Sequence, residues 1–115
     1  MNAVQDPVVY HILPSENWEH ARDQGEYRPA SLAHEGFIHL SRRYQVAGTL
    51  SRFFADHSGL ILLCIDVARL HSELRYDAAD GQFFPHLYGP LNLDAVVDVL
   101  QIAAGTEDPF SGSAG

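Results

Sequence analysis

The chain has 115 residues and a mass of 12.7 kDa, with 46% hydrophobic and 19% charged residues, a composition typical of one globular domain. It contains one cysteine and no apolar run near the roughly 20 residues that span a bilayer, so we expect neither a disulfide-stapled secreted domain nor a membrane protein. Fifteen acidic residues against seven arginines, with no lysine, give a formal charge of -8, which excludes lysine chemistry and disfavours non-specific nucleic-acid binding.

The first part of the chain is predicted to hold two strands separated by a helix. Residues 8–13 (VVYHIL) are β-branched and aromatic and lie between two prolines, which is typical of a strand. Ser15 is placed to cap a helix that ends at Gly25. Residues 26–35 are irregular, and the segment 37–41 (FIHLS) is predicted as a second strand.

The middle of the chain is predicted to hold a second helix and a buried strand. Ser41 is placed to cap a helix running to about Asp56, with apolar residues spaced three and four apart. Residues 60–65 (LILLCI) are continuously apolar, which predicts a strand buried on both faces and makes Cys64 a buried, inert thiol. Residues 66–70 are predicted as one helical turn.

The last part of the chain is predicted to contain a short strand at 74–77, a turn at 80–81 and an aromatic-rich loop at 83–90. Residues 95–102 are predicted as a final strand. The order β-α-β-α-β-β-β favours an α+β fold over a doubly wound parallel sheet. We therefore expect a single α+β domain over residues 1–102.

Location and assembly are only partly constrained by the sequence. Residues 1–7 carry no basic side chain, so we expect no signal peptide, and one cysteine fits a reducing cytoplasm. Residues 103–115 are small and polar, which predicts a disordered C-terminal tail. Edge strands and an exposed aromatic loop allow a homodimer without requiring one.

Three of the seven histidines lie among aromatic residues in predicted strands or loops: His11, His39 and His86. Strand alternation places His11 on one face with Val9 and Leu13, so its ring interrupts an apolar row. Each ring alone is readily explained as a half-buried imidazole bonded to a backbone carbonyl. Three together favour a shared pocket, because each unsatisfied buried imidazole costs roughly 1–3 kcal/mol.

Three kinds of chemistry suit these histidines. One is a zinc site, which the wide spacing and the lack of paired cysteines disfavour. Histidine also serves as a general acid or base near neutral pH. Finally, a neutral imidazole can hydrogen-bond a ribose or an amide. The neighbouring aromatic residues suit stacking on a planar ring: Tyr10, Phe83, Phe84 and Tyr88.

Four segments of the chain form a recognisable set of motifs: Tyr10-His11, residues 36–41 (GFIHLS), residues 62–66 (LLCID) and residues 84–91 (FPHLYGPL). Together they resemble a bacterial family known only as a domain of unknown function, DUF952. The resemblance covers about residues 8–102. The family carries no established activity, so the resemblance implies a fold and not a reaction.

The same landmarks are more distantly similar to the catalytic lobe of RNA 2′-phosphotransferases and the wider ADP-ribosyltransferase fold. Tyr10-His11, residues 38–41 and Ile65-Asp66 occur in the order of that fold's motifs. The resemblance implies a bent, split, mixed but mostly antiparallel sheet with two main helices and an NAD-binding cleft. It also implies that His11 contacts the adenosine ribose or the nicotinamide amide.

The resulting functional hypothesis is a transferase that uses NAD or a related nucleotide. The candidate catalytic residues are His11, His39 and His86. The candidate cofactor-binding residues are Tyr10, His11, Ser41, Arg42 and Tyr88, with Arg42 or Arg43 pairing with a phosphate.

Two alternatives stay open. In this chain Ile12-Leu13 replace the Gly-Thr of the transferase motif and no Gln/Glu-x-Glu motif is evident, which favours a non-catalytic module that binds a nucleotide or another small ligand. The other alternative is a metal-dependent hydrolase built on the histidines, which would require a stoichiometric metal.

Overall fold

The computed structural model describes residues 6–110, which form three small sheets and three α-helices. In chain order the elements are β1 (Val8–Pro14), α1 (Ser15–Gln24), β2 (Glu26–Tyr27), α2 (Ala30–Glu35), β3 (Ile38–His39), α3 (Val46–Phe53), β4 (Leu60–Asp66), β5 (Glu73–Ala79), β6 (Gln82–Tyr88), β7 (Leu91–Asn92) and β8 (Val96–Ile102). Short 3-10 helices lie at Arg43–Gln45, Val67–Arg69 and Leu93–Ala95. Every described strand pair is antiparallel, so the predicted α+β class with a mostly antiparallel sheet is confirmed.

The sheet β1-β4-β8 separates two apolar cores. Alternate side chains of β4 enter them: Ile61, Leu63 and Ile65 the first core, and Leu60, Leu62 and Cys64 the second. Trp18 of α1 packs against the first core, and Leu50 of α3 belongs to the second. The predicted burial of this strand on both faces is therefore confirmed, and it explains why the run is continuously apolar.

The sheet β3-β6-β5 covers the first core with one face only. Ile38 of β3 and Leu74 of β5 both lie opposite Leu87 of β6, and all three side chains belong to that core or pack against it. Because side chains alternate along a strand, their neighbours His39 and His86 lie on the outer face of the sheet. Packing of the inner side chains on the first core therefore determines that the two histidines lie on the opposite, outer face of the sheet.

Strand β1 connects the two larger sheets. Tyr10 and Ser41 exchange both backbone hydrogen bonds, each at 2.8 Å, where the chain leaves β3. This bridge turns residue 41 away from the sheet that contains His39. It also explains why Ser41 does not cap a helix, since its hydroxyl contacts Thr49 at 3.2 Å instead.

Two predicted helices begin differently from the sequence expectation. The N-cap of α1 is Pro14 rather than Ser15, while Gly25 closes the helix in the left-handed conformation as predicted. The segment after Ser41 starts as the 3-10 turn Arg43–Gln45 and continues as α3 to Phe53. The segment 26–35, expected to be irregular, holds β2 and α2.

The predicted aromatic loop at 83–90 is wrong over most of its length, because β6 runs from Gln82 to Tyr88. Pro85 and the Gly89-Pro90 pair are typical of a loop and obscured the strand. Pro85 is tolerated in a central strand because β3 pairs with β6 only at His86 and Leu87. Its carbonyl still accepts a hydrogen bond from the Leu40 amide at 3.0 Å.

The described part of the expected C-terminal tail lies against the second core. Residues 103–110 contain turns, and the Phe110 ring meets Tyr10 edge-on at 5.0 Å between centroids. The Arg43 guanidinium stands 4.0 Å above the same ring. Residues 111–115 of the predicted tail lie outside the described residues. None of the helices within residues 6–110 is long and apolar enough to cross a membrane.

Candidate functional site

The outer side of the sheet β3-β6-β5 collects the polar and aromatic side chains that the alternation turns away from the first core. We call it the histidine face and define it by Phe37, His39, Arg75, Asp77, His86 and Tyr88. His39 and His86 are directly opposite each other in the β3-β6 register, and Arg75 lies opposite His86 on β5. The two imidazole centroids are 5.2 Å apart.

His86 is the most enclosed member of the histidine face, with 7% of the residue exposed. Its Nδ1 lies 2.8 Å from Asp77 Oδ2, and the Tyr88 hydroxyl donates to the same oxygen. Phe37 stacks on the imidazole, with 4.1 Å between centroids and 13° between planes. Because a carboxylate only accepts, Asp77 holds the ring as the tautomer that carries hydrogen on Nδ1.

The other nitrogen of His86 is available to a ligand. Nε2 has no hydrogen bond to any residue within 6–110, and the buried side-chain nitrogens and oxygens of this region all have partners. Nε2 is therefore not fully buried, although only 7% of the residue is exposed. An imidazole oriented by a carboxylate on Nδ1, with an accessible lone pair on Nε2, has the arrangement of a general base.

The two hydrogen bonds that Asp77 accepts, from His86 and Tyr88, stabilise its ionised form. The hydrogen bond from Tyr88, and then the one from His86, lower the pKa of the Asp77 carboxyl below its ordinary value. The same bond to the carboxylate raises the pKa of Tyr88. Asp77 therefore stays ionised and Tyr88 stays protonated at neutral pH, as this hydrogen-bonded arrangement requires.

His39 forms a second pair with a carboxylate. Its Nε2 lies 3.1 Å from both oxygens of Glu35, the last residue of α2, and its side chain is 54% exposed. Gly36, with φ of 91°, reverses the chain between Glu35 and β3, which brings the carboxylate back over the strand. Nδ1 of His39 has no hydrogen-bond partner among the described residues.

His11 lies behind the histidine face and connects three strands. Its Nδ1 is 2.7 Å from the His39 carbonyl oxygen, and its Nε2 is 2.8 Å from the Tyr27 hydroxyl. Since the carbonyl only accepts, Nδ1 donates and Nε2 accepts from Tyr27. Burial lowers the pKa of His11 to about 4, so the ring is neutral near pH 7. The predicted half-buried imidazole bonded to a carbonyl describes His11 well.

Arg75 of β5 supplies a positive charge at the end of the cross-strand row His39-His86-Arg75. Its guanidinium stands 4.6 Å from the Tyr88 ring centroid, and its Nε lies 3.0 Å from a Glu73 oxygen. Glu73 occupies one edge of the guanidinium, which leaves N–H groups on the other edge. This arginine was not among the residues selected from the sequence.

Three residues predicted to join the histidines lie elsewhere. Tyr10 points into the second core because neighbouring residues of a strand face opposite sides, so it cannot line a site with His11. Ser41 is buried beside Thr49, and Arg42 Nε donates to Asp6 Oδ2 at 3.0 Å. The interruption of β3 after residue 39 separates this group from the histidine face.

The predicted cleft differs from the cavities of the described structure. One cavity of about 420 Å³ lies between α1 and β2 and includes Tyr27, and another of about 470 Å³ lies between α3 and residues 102–107. His39 and His86 line neither. Within residues 6–110 no group of three or more His, Cys, Asp or Glu side chains could hold a metal ion.

The chain matches one family model and is similar to solved structures of one bacterial protein. A family model described as "Protein of unknown function (DUF952)" matches residues 12–99, which include His39 and His86. The X-ray structure of protein CC0527 from Caulobacter crescentus is 31% identical, has a TM-score of 0.80 and covers 87% of this chain and 90% of that one. Its solution NMR structure is 32% identical, with a TM-score of 0.73 and coverage of 85% and 86%. No curated protein matches this chain.

Proposed function

The chain belongs to the DUF952 family, and from its histidine face we propose that it catalyses acid–base group transfer on a nucleotide-type ligand. The observation that carries this proposal is the 2.8 Å contact between His86 Nδ1 and Asp77, with Nε2 left accessible. Buried imidazoles are ordinarily satisfied at both nitrogens, as His11 is. A histidine held by one nitrogen and open at the other is suited to moving a proton.

The ligand class follows from the other side chains of the face. Phe37 and Tyr88 offer aromatic surface to a planar ring. Arg75 stands beside Tyr88, and the guanidinium edge that Glu73 does not occupy offers N–H donors to an anionic group. A ligand with a flat ring and an anionic group therefore complements the face, and nucleotides combine both features.

In the proposed transfer, His86 Nε2 takes a proton from an acceptor hydroxyl or water. The resemblance to ADP-ribosyltransferases implies NAD as the donor. The acceptor oxygen then bonds to C1′ of the ribose while the bond from C1′ to nicotinamide breaks, and its electron pair neutralises the pyridinium nitrogen. Asp77 stabilises the imidazolium that forms on His86.

His11 supports this function through position. It donates to the backbone of His39 and accepts from Tyr27, so it fixes β3 relative to β1 and β2. Direct contact with a ribose would require one of these hydrogen bonds to break. We therefore assign His11 a positioning role, in place of the ribose contact implied by the resemblance.

Binding is tested by titrating the ¹⁵N-labelled chain separately with NAD and with AMP to millimolar concentration. We expect amide shifts concentrated at residues 37, 39, 86 and 88. Absence of perturbation at these positions with both ligands would remove the proposal.

Turnover is tested by measuring nicotinamide release from NAD in the presence of an excess of a hydroxyl acceptor. His86→Gln should lower the rate about 100-fold, the usual contribution of a general base, while the exposed His71→Gln serves as the matched control. Saturable binding without release would support the non-catalytic module predicted as the alternative.

A further inference from the structure

The histidine face contains two acid–imidazole pairs, and the transfer described above uses one. Glu35 holds His39 through Nε2 and Asp77 holds His86 through Nδ1. In each ring the remaining nitrogen has no hydrogen-bond partner among residues 6–110. The two rings lie opposite each other on paired strands, with their centroids 5.2 Å apart.

The two pairs differ in exposure. His86 is almost fully enclosed beneath Phe37, whereas more than half of the His39 side chain is open to water. Asp77 holds hydrogen on Nδ1 of His86, which leaves a lone pair on Nε2 that can accept a proton. The His39 ring is exposed, so solvent can replace a proton that its open Nδ1 gives to a ligand. On this geometry we assign His86 the task of base and His39 that of acid.

A second histidine has a task only if the leaving group must take up a proton. Nicotinamide leaves NAD as a neutral molecule and needs none. The oxygen that leaves a phosphate ester does, because it would otherwise depart as an alkoxide. Arg75, opposite His86 in the same cross-strand row, keeps N–H groups on the edge that Glu73 does not occupy, and these can bind a phosphate oxygen.

We propose that His39 and His86 are a general acid and a general base that together cleave a phosphate ester of a nucleotide, which rests on the ligand class proposed above. His86 Nε2 takes a proton from water, and the water oxygen bonds to phosphorus. The bond from phosphorus to the sugar oxygen breaks, and that oxygen takes the proton that His39 Nδ1 donates. Exchange with solvent then returns the proton from His86 to His39.

A nucleoside 2′,3′-cyclic phosphate tests this step, since water opens its ring without any other reactant. We would follow adenosine 2′,3′-cyclic phosphate by ³¹P NMR with the full chain and with His39→Gln, His86→Gln and His71→Gln. The first two substitutions should each lower the rate about 100-fold, and the third should leave it unchanged. If His86→Gln does not fold, Asp77→Asn, which keeps the imidazole, must show a comparable loss.

The outcomes separate this inference from the proposed function. Ring opening that survives in His39→Gln overturns the acid role. No ring opening by the native chain, together with amide shifts at residues 37, 39, 86 and 88 on adding AMP, overturns phosphate-ester cleavage and leaves nucleotide binding intact. Absence of both overturns both.

Discussion

At the scale of single residues, the decisive feature is which nitrogen of each imidazole is engaged. His86 and His11 both donate from Nδ1, but only His11 has its Nε2 occupied as well. His11, which is half-buried, and His86, which is buried, therefore differ in whether Nε2 is free to accept a proton. Their partners, Asp77 and Tyr27, come from other strands.

The tautomer of His86 gives a prediction that does not depend on activity. We expect long-range ¹H–¹⁵N spectra of the native chain to show hydrogen on Nδ1, and Asp77→Asn to reduce that preference. Loss of the carboxylate should also lower any His86-dependent turnover at least about 100-fold, since a misoriented base transfers protons poorly. Asp23→Asn, which removes an exposed carboxylate of α1 far from the histidine face in the chain, is the control.

His11 makes stability depend on pH in a defined window. Its pKa is about 4 in the folded chain and near the ordinary 6.5 when unfolded, because burial disfavours the imidazolium. Between these values the unfolded chain binds more protons, so stability falls as pH falls through the window, by up to about 3 kcal/mol.

Urea unfolding at several pH values between 4 and 7 measures this effect. His11→Gln keeps a donor and an acceptor but cannot titrate, so its stability should change less across the window. The carboxyls with lowered pKa, Glu73, Asp77 and Asp94, lose their contribution to stability as pH falls below about 4.5. They do so equally in both proteins, so the difference between the two slopes isolates His11. An equal slope for both proteins would contradict the assignment.

Cys64 is predicted to be unreactive in the folded chain. Burial in the second core, with a smaller effect of Asp98, raises the pKa of its thiol to about 11. Since the thiolate is the nucleophile, a disulfide reagent at pH 8 should label the thiol slowly when folded and rapidly in denaturant. Fast labelling of the native chain would show that β4 opens readily.

At the scale of elements, the space and the backbone conformation at each glycine determine whether an alanine can replace it. Gly89, with φ of 155°, follows β6, and a Cβ there would lie 2.8 Å from the Ser72 Cβ. Gly48 lies in α3, where an added Cβ meets nothing within 4 Å. The two glycines therefore give opposite predictions.

Gly89→Ala should destabilise the chain by more than about 1 kcal/mol, because both the backbone and Ser72 must shift. Gly48→Ala should stabilise it by about 0.5–1 kcal/mol, the usual gain from alanine in a helix. Thermal melting of both variants beside the native chain measures the difference. Equal midpoints would contradict the packing at Gly89.

Elements with one strong local pattern were predictable from the sequence. β1, β4 and β8 were recognised from their runs of β-branched and aliphatic residues, and α1 from its closing glycine. β6 was missed because Pro85 suggested a loop, although the alternation of Phe84, His86 and Tyr88 fits a strand with one polar face. Tertiary pairing with β5 overrode the local signal.

The site was predictable only in its histidines. Their approach to one another depends on the β3-β6 register, which no local pattern encodes. Asp77 and Arg75 alternate along β5 with residues of the inner face, a signal that a longer predicted strand would have exposed. Glu35 stands four residues before His39, but the turn at Gly36 decides that they meet.

At the scale of the whole molecule, three small sheets share the first core, and β1 joins them through two adjacent residues. Tyr10 bridges to Ser41 by its backbone, and His11 reaches β2 and β3 by its ring. The ADP-ribosyltransferase-like fold stays a prediction, while the α+β architecture is shared with the Caulobacter crescentus protein at a TM-score of 0.80.

Trp18 is the only indole in the chain, and it packs against the core that also contains Ile38 and Leu87, the inward neighbours of His39 and His86. The fluorescence of Trp18 therefore reports on the packing of the first core beneath His39 and His86. If a variant loses activity while the emission maximum of Trp18 stays constant, the substitution has changed only the histidine face. A red shift of the emission shows that water has reached Trp18 and that the first core beneath the histidine face is disrupted.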